Sequence, residues 1–142
     1  MWQALRTELR PLGLEIVTVA LDTRGVDAAR PWIAAARPEH PSLIDQAHVL
    51  DELLGIVNVP SGVWIDEQGV IVRPPEPAYP HRPSFLDRAT PADATPAQAA
   101  NAALVRQLRV ENDLYIGALR DWAAHGAASR YALPPAEVLR RC

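Results

Sequence analysis

Two short β-rich runs joined by a polar turn constrain the fold of this chain more than any other feature. The runs "SGVWI" and "GVIVR", within residues 61–73, flank the turn sequence "DEQG". β-Branched and aromatic residues on either side of a short polar loop that ends in Gly are typical of a tight antiparallel hairpin. The sequence therefore predicts two paired strands near the middle of the chain.

A helix and a strand are predicted at the start of the chain. Residues 14–21, "LEIVTVAL", are nearly continuous in apolarity, which is typical of a central parallel strand covered on both faces. The apolar residues before this strand have helical spacing and stop at Pro11 and Gly13: Trp2, Leu5, Leu9 and Leu12. Because this helix starts without a capping residue, we expect it to be the later part of a longer helix.

Residues 22–60 predict two further helices. The first starts near Asp27 and the second ends near Gly55. The turn-rich segment between them has a short apolar centre at Leu43 and Ile44. The predicted order before the hairpin is therefore helix, strand, helix, helix.

A proline-rich segment follows the hairpin. Residues 73–83 contain five prolines, which favour an extended polyproline conformation and exclude the interior of a sheet. We interpret residues 76–94 as a stiff connector, and the repeated Pro-x-x-Pro spacing leaves open the alternative of a ligand for an SH3-like groove. A partial domain is thereby predicted over residues 1–75.

A helical extension is predicted over residues 95–142. Thr95, Pro96 and Gln98 match a capping box with Pro at the first helical position, and the helix that follows is expected to reach Gly126. A further helix is predicted to begin at Pro135. The apolar stripe of the long helix is expected to pack in a core: Leu104, Leu108, Tyr115, Leu119 and Trp122.

Charge and hydropathy exclude two classes of partner. All 14 basic residues are Arg and the formal net charge is −3, so the chain has no basic excess to attract nucleic acid. No apolar run approaches the roughly 20 residues of a membrane helix. Arg6, Glu8 and Arg10 interrupt the place where a signal peptide has its apolar core. The sequence as written therefore predicts a cytoplasmic protein with neither nucleic acid nor membrane as partner.

The segment from "LEIVTVALD" through "HPSLIDQAHVLDELLGIVNVPSGVWIDEQGVIVRP" resembles the later part of thioredoxin-like thiol–disulfide oxidoreductases, of the redoxin kind that includes peroxiredoxins. The resemblance covers about residues 1–75. It implies an α/β, three-layer thioredoxin-like fold that lacks its N-terminal strand and active-site turn and carries a C-terminal helical extension. It also implies that the chain is truncated before the Cys-x-x-Cys motif of the family.

The strongest local match is "NVPSGVWID", where the family places a cis proline that faces the cysteine pair. The resemblance implies that Val59 and Pro60 bind substrate. An X–Pro bond adopts the cis form at a cost of about 0.5–1 kcal/mol, and this form turns the N–H and C=O of Val59 toward an extended substrate strand. The alternative is an ordinary trans proline at the start of an edge strand.

The residues that would carry thiol chemistry are absent from the sequence. Disulfide exchange needs an attacking thiolate and a resolving thiol, but the single cysteine, Cys142, is the last residue. The four His residues are scattered without ligand spacing, and turns and helix capping account for Asp22 and Asp45. We therefore predict no catalytic residue, no metal and no cofactor.

Together these patterns predict a redoxin domain fragment that is inactive in disulfide exchange by itself. The alternative is a non-catalytic binding module that holds a partner through the cis-Pro groove or the C-terminal helix. The expected partner is a protein thiol or disulfide, or a second copy of the chain. Self-association is expected because a missing central strand would leave open apolar edges on the strands at residues 14–21 and 61–65.

Overall fold

The chain has a mixed α/β architecture. The computed structural model describes residues 2–79 and 91–142, and of residues 108–110 only the backbone. The helices are α1 (Trp2–Leu9), α2 (Val26–Ala36), α3 (Val49–Leu54), α4 (Pro96–His125) and α5 (Pro135–Arg141), with 3-10 turns at Arg10–Leu12 and Gly126–Ala128. The strands are β1 (Thr18–Leu21), β2 (Ser42–Asp45), β3 (Ser61–Ile65) and β4 (Ile71–Pro77).

The strands form two separate two-stranded sheets. β1 and β2 are parallel, with Thr18 beside Ser42, whereas β3 and β4 form the predicted antiparallel hairpin, with Ser61 opposite Pro77. Within the described part of the chain, no strand pairing joins the two sheets. The prediction of a central strand over residues 14–21 is therefore wrong for the part of the chain that the structure describes, where β1 is paired on one side only.

The first strand is also shorter than predicted. It begins at Thr18, because the residues before it make local contacts: Leu14 N–H donates to Leu9 O at 3.4 Å, and Ile16 N–H donates to the Glu15 carboxylate at 2.9 Å. Val17 is 53% exposed, so apolar character here does not mean burial on both faces. The continuous apolar run predicted that a strand lies in this region, but it did not predict the residue at which the strand begins.

Strand β2 was not predicted as a strand. Its apolar centre, Leu43 and Ile44, is flanked by polar residues, and the segment is extended because it pairs with β1. Thr18 N–H donates to Pro41 O at 3.0 Å, and the hydroxyls of Thr18 and Ser42 lie 3.1 Å apart. The local sequence of this segment favours a strand only weakly, and its extended conformation results from pairing with a strand that is distant in sequence.

The first part of the proline-rich segment belongs to a strand at a sheet edge. Strand β4 continues to Pro77 with irregular register opposite β3, and Ala78 N–H donates to Pro60 O at 3.0 Å. Proline is compatible with an edge strand that has bulges because some of its N–H positions are not used in pairing. Residues 80–90, with most of the predicted connector and of its Pro-x-x-Pro spacings, lie outside the described residues.

The long helix α4 begins and ends as predicted. Gln98 N–H donates to the Thr95 hydroxyl at 3.3 Å and Thr95 N–H donates to Gln98 Oε1 at 2.8 Å, which completes the capping box. The predicted stripe is only partly in the core: Tyr115 and Leu119 are buried, but Leu104 is 54% exposed. The side chain of Leu108 lies outside the described residues. The packed part of α4 is therefore its C-terminal half.

One hydrophobic core joins the predicted partial domain to the helical extension. It combines α1, the hairpin and α4 through Leu5, Leu9, Ile16, Trp64, Ala78, Tyr115, Ala118 and Leu119. The segment from β1 to α3 contributes little to burial, since Ala29 is its only buried apolar side chain between residues 18 and 57. The two sheets therefore differ in how firmly they are packed.

The core position of Leu9 predicts a large stability effect. Leu9 is 1% exposed, so Leu9→Ala should lower the free energy of unfolding by about 2–5 kcal/mol, because it leaves a cavity. The matched control Leu53→Ala, at a residue that is 74% exposed, should change it by no more than about 0.5 kcal/mol. Urea unfolding monitored by circular dichroism measures both values, and equal effects would show that the core has been assigned wrongly.

Candidate functional site

The residues predicted to bind substrate lie on an exposed segment between α3 and β3. The Val59–Pro60 peptide bond is cis, as predicted, and all of residues 57–60 are exposed. The N–H of Val59 is not free, because it donates to Oδ1 of the neighbouring Asn58 at 2.9 Å. Ser61 Oγ donates to Asn58 O at 2.6 Å. The segment therefore presents apolar side chains to solvent while Asn58 covers one of its backbone donors.

Trp64 fixes the hairpin to the core. It is 2% exposed, its ring stacks on Trp122 with centroids 5.0 Å apart, and it meets Tyr115 edge-on at 6.1 Å. The indole N–H donates to the Tyr115 hydroxyl at 3.3 Å, so the buried donor has a partner. Burial raises the pKa of Tyr115. β3 is thus held rigidly on one face while the segment before it stays exposed.

The outer edge of β4 is covered by the C-terminal part of the chain. Leu133 N–H donates to Val72 O at 2.8 Å, and the Arg73 guanidinium donates to Tyr131 O at 3.4 Å. Arg73 also pairs with Glu76 and lies 5.0 Å from the centroid of the Trp64 ring. Covering an edge in this way removes a template for strand addition. The hairpin is therefore closed on the side of β4.

The other edge of the hairpin has no strand beside it in the described residues. β3 pairs only with β4, and Pro60 O is used toward β4 by Ala78 N–H. Because backbone groups of successive residues in a strand point to opposite edges, those of Ser61 are directed toward the open edge. The next residue that should point the same way is Val63. This edge can accept an extended segment.

Strand β1 has a similar open edge. Thr18 N–H is directed toward β2, where it donates to Pro41 O, so the backbone groups of Val19 and Leu21 point away from β2. All four residues of β1 are only half-buried. In the described part of the chain no second strand pairs with them. Among the described residues, three strands, β1, β2 and β3, therefore each have one side along which no other strand pairs.

An ion pair holds the segment that leads into β1. Arg6 is 5% exposed and donates through Nη2 to Glu15 Oε2 at 2.9 Å, while Glu15 Oε1 accepts the Ile16 N–H. The Arg6 guanidinium, followed by the backbone N–H, lowers the pKa of Glu15 to about 2. Glu39 lies 3.8 Å from Arg6 as a second, weaker partner. The start of β1 is thus tied to α1 by a buried cation.

Asp22 and Asp45 have local structural roles. Asp22 accepts from the backbone N–H and guanidinium of Arg24, and Asp45 accepts from the Leu50 N–H at 2.7 Å at the start of α3. These bonds lower the pKa of both carboxyl groups. The described residues contain no group of three or more His, Cys, Asp or Glu side chains that could hold a metal ion. The turn and capping roles proposed from sequence fit this geometry.

Sequence reasoning missed two residues of the site. Asn58 was not singled out, although Asn commonly bonds to nearby backbone groups in turns, which was the available signal. Tyr115 was assigned only to an apolar stripe. Its hydroxyl contacts Trp64, which is 51 positions away in sequence, and no local pattern shows such a contact.

Cys142 is exposed at the end of α5.

Comparisons of the chain with family models, with curated proteins and with solved structures found no match. No helix within residues 2–79 and 91–142 has both the length and the apolar character needed to cross a bilayer.

The close packing of β3 against α4 predicts that Gly62 tolerates no side chain. A Cβ at Gly62 would lie 2.5 Å from the Tyr115 hydroxyl and 2.9 Å from Ala78 Cβ, so Gly62→Ala should lower the free energy of unfolding by about 1–3 kcal/mol. Gly117→Ala is the matched control: its Cβ meets nothing within 4 Å on α4, and it should raise stability by about 0.5–1 kcal/mol. Urea unfolding of both variants measures these effects. Effects of the same sign would contradict the packing described for β3.

The Arg6–Glu15 pair predicts a defined acid sensitivity. The pKa of Glu15 is lowered from 4.5 to about 2 in the folded chain, so its stabilising contribution is complete above pH 4.5 and is lost as the pH falls toward 2. The unfolding free energy of the parent chain should therefore fall more steeply between pH 4.5 and 2 than that of Glu15→Gln. Glu67→Gln, in the exposed β3–β4 turn, serves as control and should keep the parent slope. Parallel slopes for Glu15→Gln and the parent would exclude this assignment.

Proposed function

We propose that this chain is a thioredoxin-like domain, related to thiol–disulfide oxidoreductases, that binds an extended polypeptide strand and does not itself exchange disulfides. The observation that carries the proposal is the pair of separate sheets, in which β1 and β3 each have one side without a strand among the described residues. Unpaired backbone donors and acceptors in a row are a template for adding a strand. The added strand would supply hydrogen bonds that neither sheet supplies to the other.

The distribution of covered and open edges supports strand binding. Leu133 covers the outer edge of β4, whereas among the described residues no strand pairs with the other edge of β3, which follows the exposed residues 57–60. Val59 is 63% exposed, and the one partner of its N–H among the described residues is the side chain of the adjacent Asn58. A partner carbonyl can replace Asn58 Oδ1 at this donor without breaking any strand pairing. Val59 and Pro60 would then form the entry to the docking edge.

The two functions predicted from the sequence differ in which polypeptide supplies the added strand. In a redoxin, the strand is followed by the Cys-x-x-Cys motif, and the chain contributes the surface on which the cysteine pair acts. In a non-catalytic binding module, the strand belongs to another protein and no redox step occurs. In either case the chain shown here lacks the second thiol that exchange requires, since Cys142 is its single cysteine.

Strand docking predicts binding that depends on backbone donors. The probe is a decapeptide of alternating Val and Ser. Two control peptides have the same sequence, and each carries N-methyl groups on every second amide: one on the Val amides and the other on the Ser amides. We expect the parent peptide to shift the amide resonances of β1 and β3 in ¹H–¹⁵N spectra, and at least one methylated peptide to lose this binding, because its N–H groups are blocked. Equal binding of all three peptides, or no binding, would contradict strand docking.

The redox function is tested separately. Reduction of a protein disulfide by a dithiol should proceed at the uncatalysed rate in the presence of the chain alone, because the paired thiols are absent. Adding a peptide that contains a strand followed by Cys-x-x-Cys should accelerate the reduction beyond the peptide's own rate if the redoxin source is correct. Turnover by the chain alone that persists in Cys142→Ser would contradict the proposed inactivity.

A further inference from the structure

Charge is distributed unevenly along the chain. Residues 38–72 contain six acidic residues and no Arg or Lys, whereas the remainder of the chain has all 14 basic residues and the other 11 acidic residues. The acidic stretch includes β2, α3, the exposed segment with the cis proline, and β3. The part of the chain that leads into the open edge of β3 is therefore negative, although the net charge of the whole chain is only −3.

Hydrogen bonding within this stretch leaves most of the negative charge in place. Asp45 and Asp66 accept from backbone N–H groups, which carry no formal charge. The Asp51 carboxylate contacts His48 Nδ1 at 3.0 Å, and Glu52 is exposed on α3. In the described residues, the one acid of this stretch that lies within 4 Å of an Arg is Glu39, near Arg6. A cationic partner would thus meet carboxylates that have no guanidinium partner among the described residues.

Exposed apolar side chains lie among these acids. Val49 and Leu53 are one turn apart on α3 and are 49% and 74% exposed, and Val57 and Val59, in the segment that follows, are 99% and 63% exposed. We name these four side chains the α3–β3 surface. They lie within eleven residues of the sequence that leads directly into β3. Clustered exposed apolar residues of this kind mark interaction sites.

We infer that the strand bound at the open edge of β3 is apolar and positively charged, with Lys or Arg alternating with aliphatic residues. This inference rests on the proposed strand docking and adds the chemistry of the partner. In an extended strand, alternate side chains point to opposite faces, so one row can pack on the α3–β3 surface while the other carries charge. Opposite charge on the two partners speeds their encounter and disfavours acidic competitors. An acidic partner would place like charges beside Glu52 and Asp51.

The test compares three decapeptides that share the same Val positions and carry Lys, Ser or Glu between them. We expect the Val–Lys peptide to bind the full chain at least tenfold more tightly than the Val–Glu peptide at low salt. The difference should shrink as the salt concentration rises from 0.05 to 0.5 M, because exposed charges are screened within about 10 Å at 0.1 M. Fluorescence anisotropy of labelled peptides gives the affinities.

Variants at exposed positions locate the contact. Leu53→Ser, Val57→Ser and Glu52→Gln should each weaken binding of the Val–Lys peptide at least threefold. The matched control Leu139→Ser, at a 77% exposed residue on α5, should leave the affinity unchanged. Thermal unfolding checks that each variant is folded like the parent chain.

The outcomes separate this inference from the proposed function. Equal affinity for the three peptides, with binding still sensitive to N-methylation, would overturn the basic partner and leave strand docking in place. Tight Val–Lys binding that none of the three site variants weakens would also overturn the inference, since the contact would lie elsewhere. If no peptide binds, both the inference and the proposed function fail.

Discussion

The packing of Trp64 is the contact on which the arrangement of the molecule depends. Its ring stands between Trp122 and Tyr115 of α4 and the guanidinium of Arg73 on β4, so one side chain joins the hairpin to the long helix. Aromatic pairs of this type contribute about 0.5–1.5 kcal/mol beyond the burial of their area. Because β3 is fixed by this contact, the exposed segment before it and the open edge beside it are held in a defined place.

The two outer edges of the β3–β4 hairpin differ in how they are covered. The C-terminal segment covers β4 through Leu133 and Tyr131, whereas among the described residues no strand pairs with β3 on its other side. Proteins commonly protect edges with prolines, charges or covering segments, and β4 has both prolines and a cover. An edge left open beside exposed apolar residues is consistent with a use for it, which is the basis of the strand-docking proposal.

Local chemistry made some elements predictable from the sequence. The capping box at Thr95, the stop at Gly55 with its left-handed conformation (φ 68°) and the hairpin turn all depend on residues close in sequence, and the structure confirms them. Strand β2 and the extension of β4 to Pro77 depend on pairing with distant residues, which no local pattern contains. At the candidate site, the exposed Val59 and Pro60 could be found from sequence, but the Asn58 contact and the fit of Gly62 against Tyr115 needed three-dimensional packing.

The sparse burial between β1 and α3 has a consequence for dynamics. A region with one buried apolar side chain, Ala29, should open locally at a much lower free energy than global unfolding, and its amides should exchange with solvent by that route. A strand that binds only the closed form of β1 would stabilise that form by mass action, in proportion to its concentration relative to its dissociation constant. Strand binding and the ordering of this segment would then be one coupled equilibrium, while the aromatic core around Trp64 would stay folded.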